Sequence, residues 1–147
     1  MTQEFVLEQF SQGFDCSQIV LAEVAENNDL DTETARKVSA CFGGGMWCAG
    51  CCGALTGALM AVGLKYGHAM PKETDKKDKA LTVMGQLRKK FVKKYQSTEC
   101  KDILGHDLSI PEEMQQILDK GLIASVCPEV ICSTVDMLNE YLTNISN

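Results

Sequence analysis

Residues 52–67 read Cys52-Gly-Ala-Leu-Thr-Gly-Ala-Leu-Met-Ala-Val-Gly-Leu-Lys-Tyr-Gly67. No side chain in the run is charged before Lys65, and small residues recur every four positions at Gly53 and Gly57. Apolar character all round a helix marks a buried helix, and the two glycines let another backbone approach one face closely. Residues 52–66 therefore predict a core helix ended by Gly67. Upstream, Cys41-Phe-Gly-Gly-Gly-Met-Trp-Cys48-Ala-Gly-Cys51-Cys52 packs four of the chain's eight cysteines into one glycine-rich loop. Residues 40–64 carry no charge, so length alone would suggest a membrane span. Their content of Gly, Ala and Cys reads instead as a core helix with its loop, and no membrane is expected.

The rest of the chain repeats three- and four-residue apolar spacing, and no segment reads as a strand. Residues 2–12 predict a short helix stopped by Gly13. Asp15 followed by Gln18 is a capping box that opens a helix from Cys16 to about Glu26. Asp31 or Thr32 caps the next, which dissolves into Gly43-Gly44-Gly45. A long helix runs from about Thr74 to Gln96, with Ala80, Met84, Leu87, Phe91 and Tyr95 as its apolar stripe. Ser97 or Thr98 starts a short helix that ends at Gly105. Ser109 caps another, with Pro111 in its first turn. Cys127-Pro128 opens the last, running to about residue 144. The expectation is a single all-α domain over residues 1–147, a bundle of about six or seven helices.

Composition narrows the function. A net charge of −6 argues against general nucleic-acid binding. The acidic start of the chain does not read as a secretory signal, so a cytoplasmic protein is expected. Eight cysteines in such a chain point to metal or redox chemistry, not to a disulfide framework. Residues 72–94 hold nine basic and three acidic side chains, so that stretch carries +6 and the remainder −12. Such asymmetry suits a solvated helix face, an acidic partner or a homodimer.

Four cysteines fall at predicted helix starts. Cys16 follows the Asp15 cap, Cys52 opens the core helix, Cys100 lies in a first turn, and Cys127 precedes Pro128. Free backbone N–H groups and the helix dipole favour negative charge there, so lowered thiol pKa values are expected. Cys41 and Cys132 read as packing residues. Cys48 and Cys51 form a Cys-x-x-Cys pair outside any βαβ context. His68 and His106 are weak ligand candidates. No phosphate-binding loop or Ser-His-Asp set is readable.

Phe42-Gly-Gly-Gly45, Cys52-Gly-Ala-Leu-Thr-Gly-Ala58 and Gly63-Leu-Lys-Tyr-Gly67 resemble the redox-active family known as C_GCAxxG_C_C. Phe14-Asp-Cys16-Ser-Gln18 resembles its N-terminal cysteine setting, and Cys100 and Cys127-Pro128 its third and fourth cysteines. The resemblance covers about residues 4–142. It implies a small helical bacterial or archaeal protein with a redox role, and no particular reaction. A related domain in split-Soret cytochrome c suggests an iron–sulfur cluster held by cysteines. The haem-binding Cys-x-x-Cys-His of that protein is missing here, so no haem is expected. Cys48 and Cys51 are additions to the family pattern, which leaves open whether they join the site.

The leading expectation is a thiolate site of Cys16, Cys52, Cys100 and Cys127. It would hold an iron–sulfur cluster or another thiolate-bound metal and pass electrons to an unknown redox partner protein. In its dithiol form, Cys52 attacks a disulfide and Cys16 or Cys51 resolves the product. The remaining expectations are a soft-metal module for zinc or copper without turnover, and a purely structural domain.

Overall fold

In the computed structural model the decisive run folds as read, into a helix over Gly53–Tyr66. Residues 1–143 are described. They form eight α-helices: α1 (Gln3–Ser11), α2 (Cys16–Ala25), α3 (Thr32–Ser39), α4 (Gly53–Tyr66), α5 (Thr74–Tyr95), α6 (Cys100–Leu104), α7 (Pro111–Asp119) and α8 (Leu122–Thr143). The all-α expectation holds, with eight helices among the described residues in place of six or seven. Extended pairing there is limited to one antiparallel bridge between Cys51 and Glu99.

Local signals explain most boundaries. The capping box is present at the start of α2, where the Asp15 N–H donates to Gln18 Oε1 at 3.0 Å. The Asp31 side chain accepts from the Thr34 N–H at 2.9 Å and caps α3. Two caps differ from expectation. Glu99, not Ser97 or Thr98, precedes α6, because Ser97 accepts from the Glu99 N–H and donates to Asp102. Ile110 precedes α7, while Ser109 is engaged with Asp107.

The largest departure is α8, which begins at Leu122 and not at Cys127. Pro128 lies inside it. A proline there removes the bond to the carbonyl four residues back, on Ala124. Ala124 is exposed, so that carbonyl is not lost into a dry core. The expected end at residue 144 lies outside the described residues. By length and composition α8 is apolar enough to cross a membrane. In this fold its Val130, Ile131, Val135 and Leu138 are buried, and it packs against α1, α2, α4 and α5.

The core centres on α4 packed against α2. Leu55, Ala58, Ala61 and Val62 meet Val20, Leu21 and Val24, all buried. The α5 stripe closes the far side, with Leu87 and Phe91 fully buried and Phe91 against Tyr95 at 4.8 Å between ring centres. Lys90–Glu140 and Lys94–Glu129 pair α5 with α8 at the surface, where solvent screening leaves such ion pairs little weight.

The α2–α4 contact depends on missing side chains. A Cβ on Gly57 would lie 2.7 Å from the Ser17 carbonyl oxygen, and one on Gly53 would lie 3.2 Å from the Cys16 Cβ. The Ser17 oxygen is backbone and cannot swing away. Replacing Gly57→Ala is therefore expected to destabilise the fold by about 1–3 kcal/mol. Gly63→Ala on the same helix meets open space and is expected to stabilise by about 0.4–1 kcal/mol. Urea unfolding of both variants checks the pair; equal effects would contradict the contact.

Candidate functional site

The same close contact places the chemistry. The start of α2, the start of α4, α6 and the first half of α8 surround a cavity of about 200 Å³. Cys16, Cys52, Cys100 and Cys127 all line it, so four cysteines far apart in sequence share one space. Phe10, Phe14, Trp47, Leu104 and Ile131 are among its apolar walls, and Asp15 is the single charged residue that lines it.

Each thiol has a local reason for its place. Cys16 is the first residue of α2, set by the Asp15 capping box. Cys52 precedes α4, and its N–H donates to the Thr98 carbonyl at 2.7 Å. Cys100 opens α6, and its N–H donates to the Gly50 carbonyl at 2.6 Å. These two backbone bonds tie the glycine loop to the 98–100 segment and so fix Cys52 and Cys100 relative to each other. Cys127 reaches the cavity from α8, one residue before Pro128.

The loop between Gly43 and Cys52 is tightly wound. Gly44 and Gly45 adopt left-handed backbone, and so do Met46, Trp47 and Ala49. A Cβ on Gly45 would sit 2.4 Å from the Gly50 nitrogen, so only glycine fits where the loop crosses itself. A Cβ on Gly43 would lie 2.5 Å from that of Asp15, so this glycine brings the loop down beside Cys16.

The expected lowering of the thiol pKa is overturned at Cys16, Cys52 and Cys100. Burial pushes Cys52 up to about 12, aided by the neighbouring Cys16 charge. Burial likewise pushes Cys100 up to about 12, with Cys52 and Cys16 adding to it. Cys16 is held well above the ordinary thiol value, first by its hydrogen bond with Cys127 and then by burial. The helix-start effect is real but loses. The backbone amides of Ala54 and Leu55 do favour the Cys52 thiolate, and desolvation outweighs them. Cys127 is the sixth residue of α8 and does not open the helix as expected.

The other candidates lie elsewhere. Cys48 is exposed, its sulfur 3.2 Å from the Gly45 carbonyl oxygen, and it does not line the cavity. Cys51 is half-buried outside the cavity, in the bridge with Glu99, and burial raises its pKa. Cys41, expected to pack, is exposed, whereas Cys132 packs against the core. Neither His68 nor His106 lines the cavity. The sequence reading missed Asp15, Phe14 and Phe10 as wall residues. Their signal was the four-residue spacing of Phe10 and Phe14 directly before the cysteine.

Among the described residues, no three Cys, His, Asp or Glu side chains converge closely enough to clasp a single metal ion. The four cysteines line one largely apolar space. An all-α fold that closes four cysteines into one cavity defines a multi-cysteine helical domain. Residues 14–141 match the family model described as "Putative redox-active protein (C_GCAxxG_C_C)", and the chain belongs to that family. No curated protein and no solved structure matches it.

The pKa directions give a direct test on the reduced, metal-free protein. A thiol near 12 is ionised to about one part in ten thousand at pH 8, against roughly a quarter for an ordinary cysteine. Iodoacetamide at that pH is expected to label Cys48 and Cys41 well before Cys52 and Cys100, as read by peptide mass spectrometry. Stability follows the same protons. The folded chain retains protons that the unfolded chain releases above about pH 9, so the metal-free fold is expected to lose stability as pH rises from about 9 towards 12. Stability that rose over this range would contradict the assignment.

Proposed function

We propose that this protein is an electron-transfer protein that holds an iron–sulfur cluster on Cys16, Cys52, Cys100 and Cys127. The observation that carries the reading is the single apolar cavity lined by those four side chains and by no Lys, Arg or His. An attacking thiolate needs a base, a cation or a helix terminus to lower its pKa, and burial works against that here. A metal group supplies the missing positive charge and deprotonates the thiols it binds. Cys52 and Cys16 are accordingly read as ligands, not as the nucleophile and resolving pair of a thiol–disulfide enzyme.

The chain's own residues supply the setting. Phe10, Phe14, Trp47, Leu104 and Ile131 keep the cavity apolar, and low polarity around a cluster tunes its potential. When bound, the cluster would supply one-electron chemistry. Four cysteines on one cavity are the ligand count that such a cluster takes. A reducing cytoplasm suits free thiols and such a cofactor, and a redox partner protein would exchange its electrons. Cys48 and Cys51 stand outside this ligand set.

Anaerobic reconstitution with iron and sulfide tests the proposal. A broad visible thiolate-to-iron charge-transfer spectrum is expected, together with iron and acid-labile sulfide in the purified protein. Serine at position 16, 52, 100 or 127 is expected to abolish or strongly weaken it. Cys48→Ser and Cys51→Ser are expected to leave it intact. A colourless protein with all four cavity thiols still free to titrate after reconstitution would overturn the reading.

A further inference from the structure

The thiols of the cavity are enclosed. Cys52 and Cys100 are 7% and 8% exposed, and Ala54, Leu104 and Ile131 in the same walls are buried. Whatever the site takes must pass a wall. Among the described residues, two that line the cavity are exposed, Gly13 and Trp47, and Gly13 has no side chain. Trp47 is 52% exposed, so it both lines the cavity and stands in solvent.

The loop that carries Trp47 has a fixed base and a free tip. At the base Ala49 is buried, Gly45 and Gly50 cross too closely to admit a Cβ, and the Gly50 carbonyl accepts from the Cys100 N–H. At the tip Met46 is 49% exposed and Cys48 is exposed. Met46 and Trp47 follow one another at φ 58° and 55°. Adjacent non-glycine residues in the left-handed region are costly, and such strain persists only where the surroundings impose it. Here the base imposes it, and the indole lies back over Gly44. A Cβ on Gly44 would sit 3.2 Å from Trp47 Cε3 and 3.0 Å from Leu108 Cδ2, so the bare glycine leaves the indole its place beside Leu108. About half of the Trp47 surface gains nothing from burial, so moving it costs less than moving a core residue. One other wall is thin. Ile103 and Val130 separate the cavity from a surface cleft between α5, α6 and α8. Val130 belongs to the core and Ile103 packs against it, so opening there disrupts the bundle.

We propose that Trp47 is the gate of the four-cysteine cavity: the thiols are reached by displacement of its side chain at the 46–48 tip, while the helical walls stay in place. The inference rests on that cavity as the functional site and adds how it is entered. The closed gate keeps bulky molecules from the thiols and admits small ones, such as a metal ion or sulfide, during brief local openings.

The experiment uses the full chain, metal-free and fully reduced. It is labelled with N-ethylmaleimide and, separately, with the bulkier and equally neutral pyrenyl maleimide, and each cysteine is followed by peptide mass spectrometry. Rates at Cys52 and Cys100 are divided by the rate at exposed Cys41 with the same reagent. Both reagents attack the same thiolate, so the ratio of small to bulky cancels ionisation and reads access alone. In the wild type the small reagent is expected to be favoured by roughly tenfold or more, as a brief local opening predicts. Trp47→Ala is expected to bring the ratio close to that of Cys41. Trp47→Phe, which keeps a ring, and Ile103→Ala are expected to stay near the wild type. Urea below the unfolding transition is expected to leave the wild-type rates nearly flat, because the opening exposes little surface. An unchanged ratio in folded Trp47→Ala would overturn the proposal, as would loss of the size preference in Ile103→Ala alone. Wild-type labelling with the urea dependence of global unfolding would also overturn it. Circular dichroism checks folding, and should Trp47→Ala not fold, the wild-type urea series decides. Failure to load a cluster would count against the proposed function and leave these rates unchanged.

Discussion

The contact of α2 with α4 at Gly53 and Gly57 is the constraint on which the site depends. Two side chains are missing where the Ser17 backbone and the Cys16 Cβ need the space. Helices that approach so closely cannot slide past one another without a clash, so their register is fixed. Polar bonds hold the other side of α2, against α3. The Ser17 hydroxyl donates to the Ser39 carbonyl at 2.8 Å, and the Ser39 hydroxyl donates to Ala35 at 2.6 Å, all buried. Because Cys16 precedes Ser17 and Cys52 precedes Gly53, holding those neighbours in register holds the first two thiols at one end of the same helix pair. The motif glycines are thus structural means to a chemical end: they carry no chemistry and decide where it happens.

The remaining two thiols are added by different physics. Cys100 is placed by backbone hydrogen bonding to a loop in unfavourable conformation. Met46, Trp47 and Ala49 all sit at positive φ, and such residues cost of order 1 kcal/mol each. The loop keeps that shape because Gly45 and Gly50 cross closely, Ala49 is buried, and the 98–100 segment bonds to its last residues. Cys127 is placed by packing alone, on a helix whose neighbouring Val130 and Ile131 are in the core. Loss of any one support would thus displace a particular thiol and not the whole set.

How much of this was legible in the sequence follows from the same distinction. Local signals read well. The Asp15–Gln18 box, the Asp31 cap and the apolar stripe of α5 were visible because each is written within one helical turn or one periodic face. The grouping of Cys16, Cys52, Cys100 and Cys127 was visible as position at helix starts and as family resemblance. Two inferences drawn from it failed for physical reasons. Pro128 reads as a helix start because proline suits first turns, yet the tertiary packing of α8 carries the helix through it. The thiol pKa values were expected to fall, because helix starts are a local feature. Desolvation is set by Phe10, Phe14, Leu104 and Ile131 arriving from other segments, and no local reading could weigh it. The exclusion of Cys48 and Cys51 from the cavity was equally illegible, since it depends on how the loop crosses itself.

Burying four thiols in an apolar space has a further consequence. As neutral thiols they behave as small hydrophobic side chains, so the metal-free cavity is not an electrostatic burden on the fold. Any use of the site must remove protons that burial holds in place. A metal group would do so by bringing positive charge. The raised proton affinity of the cavity is therefore no obstacle to redox chemistry. It keeps the thiols protonated and unreactive until positive charge is brought into the cavity.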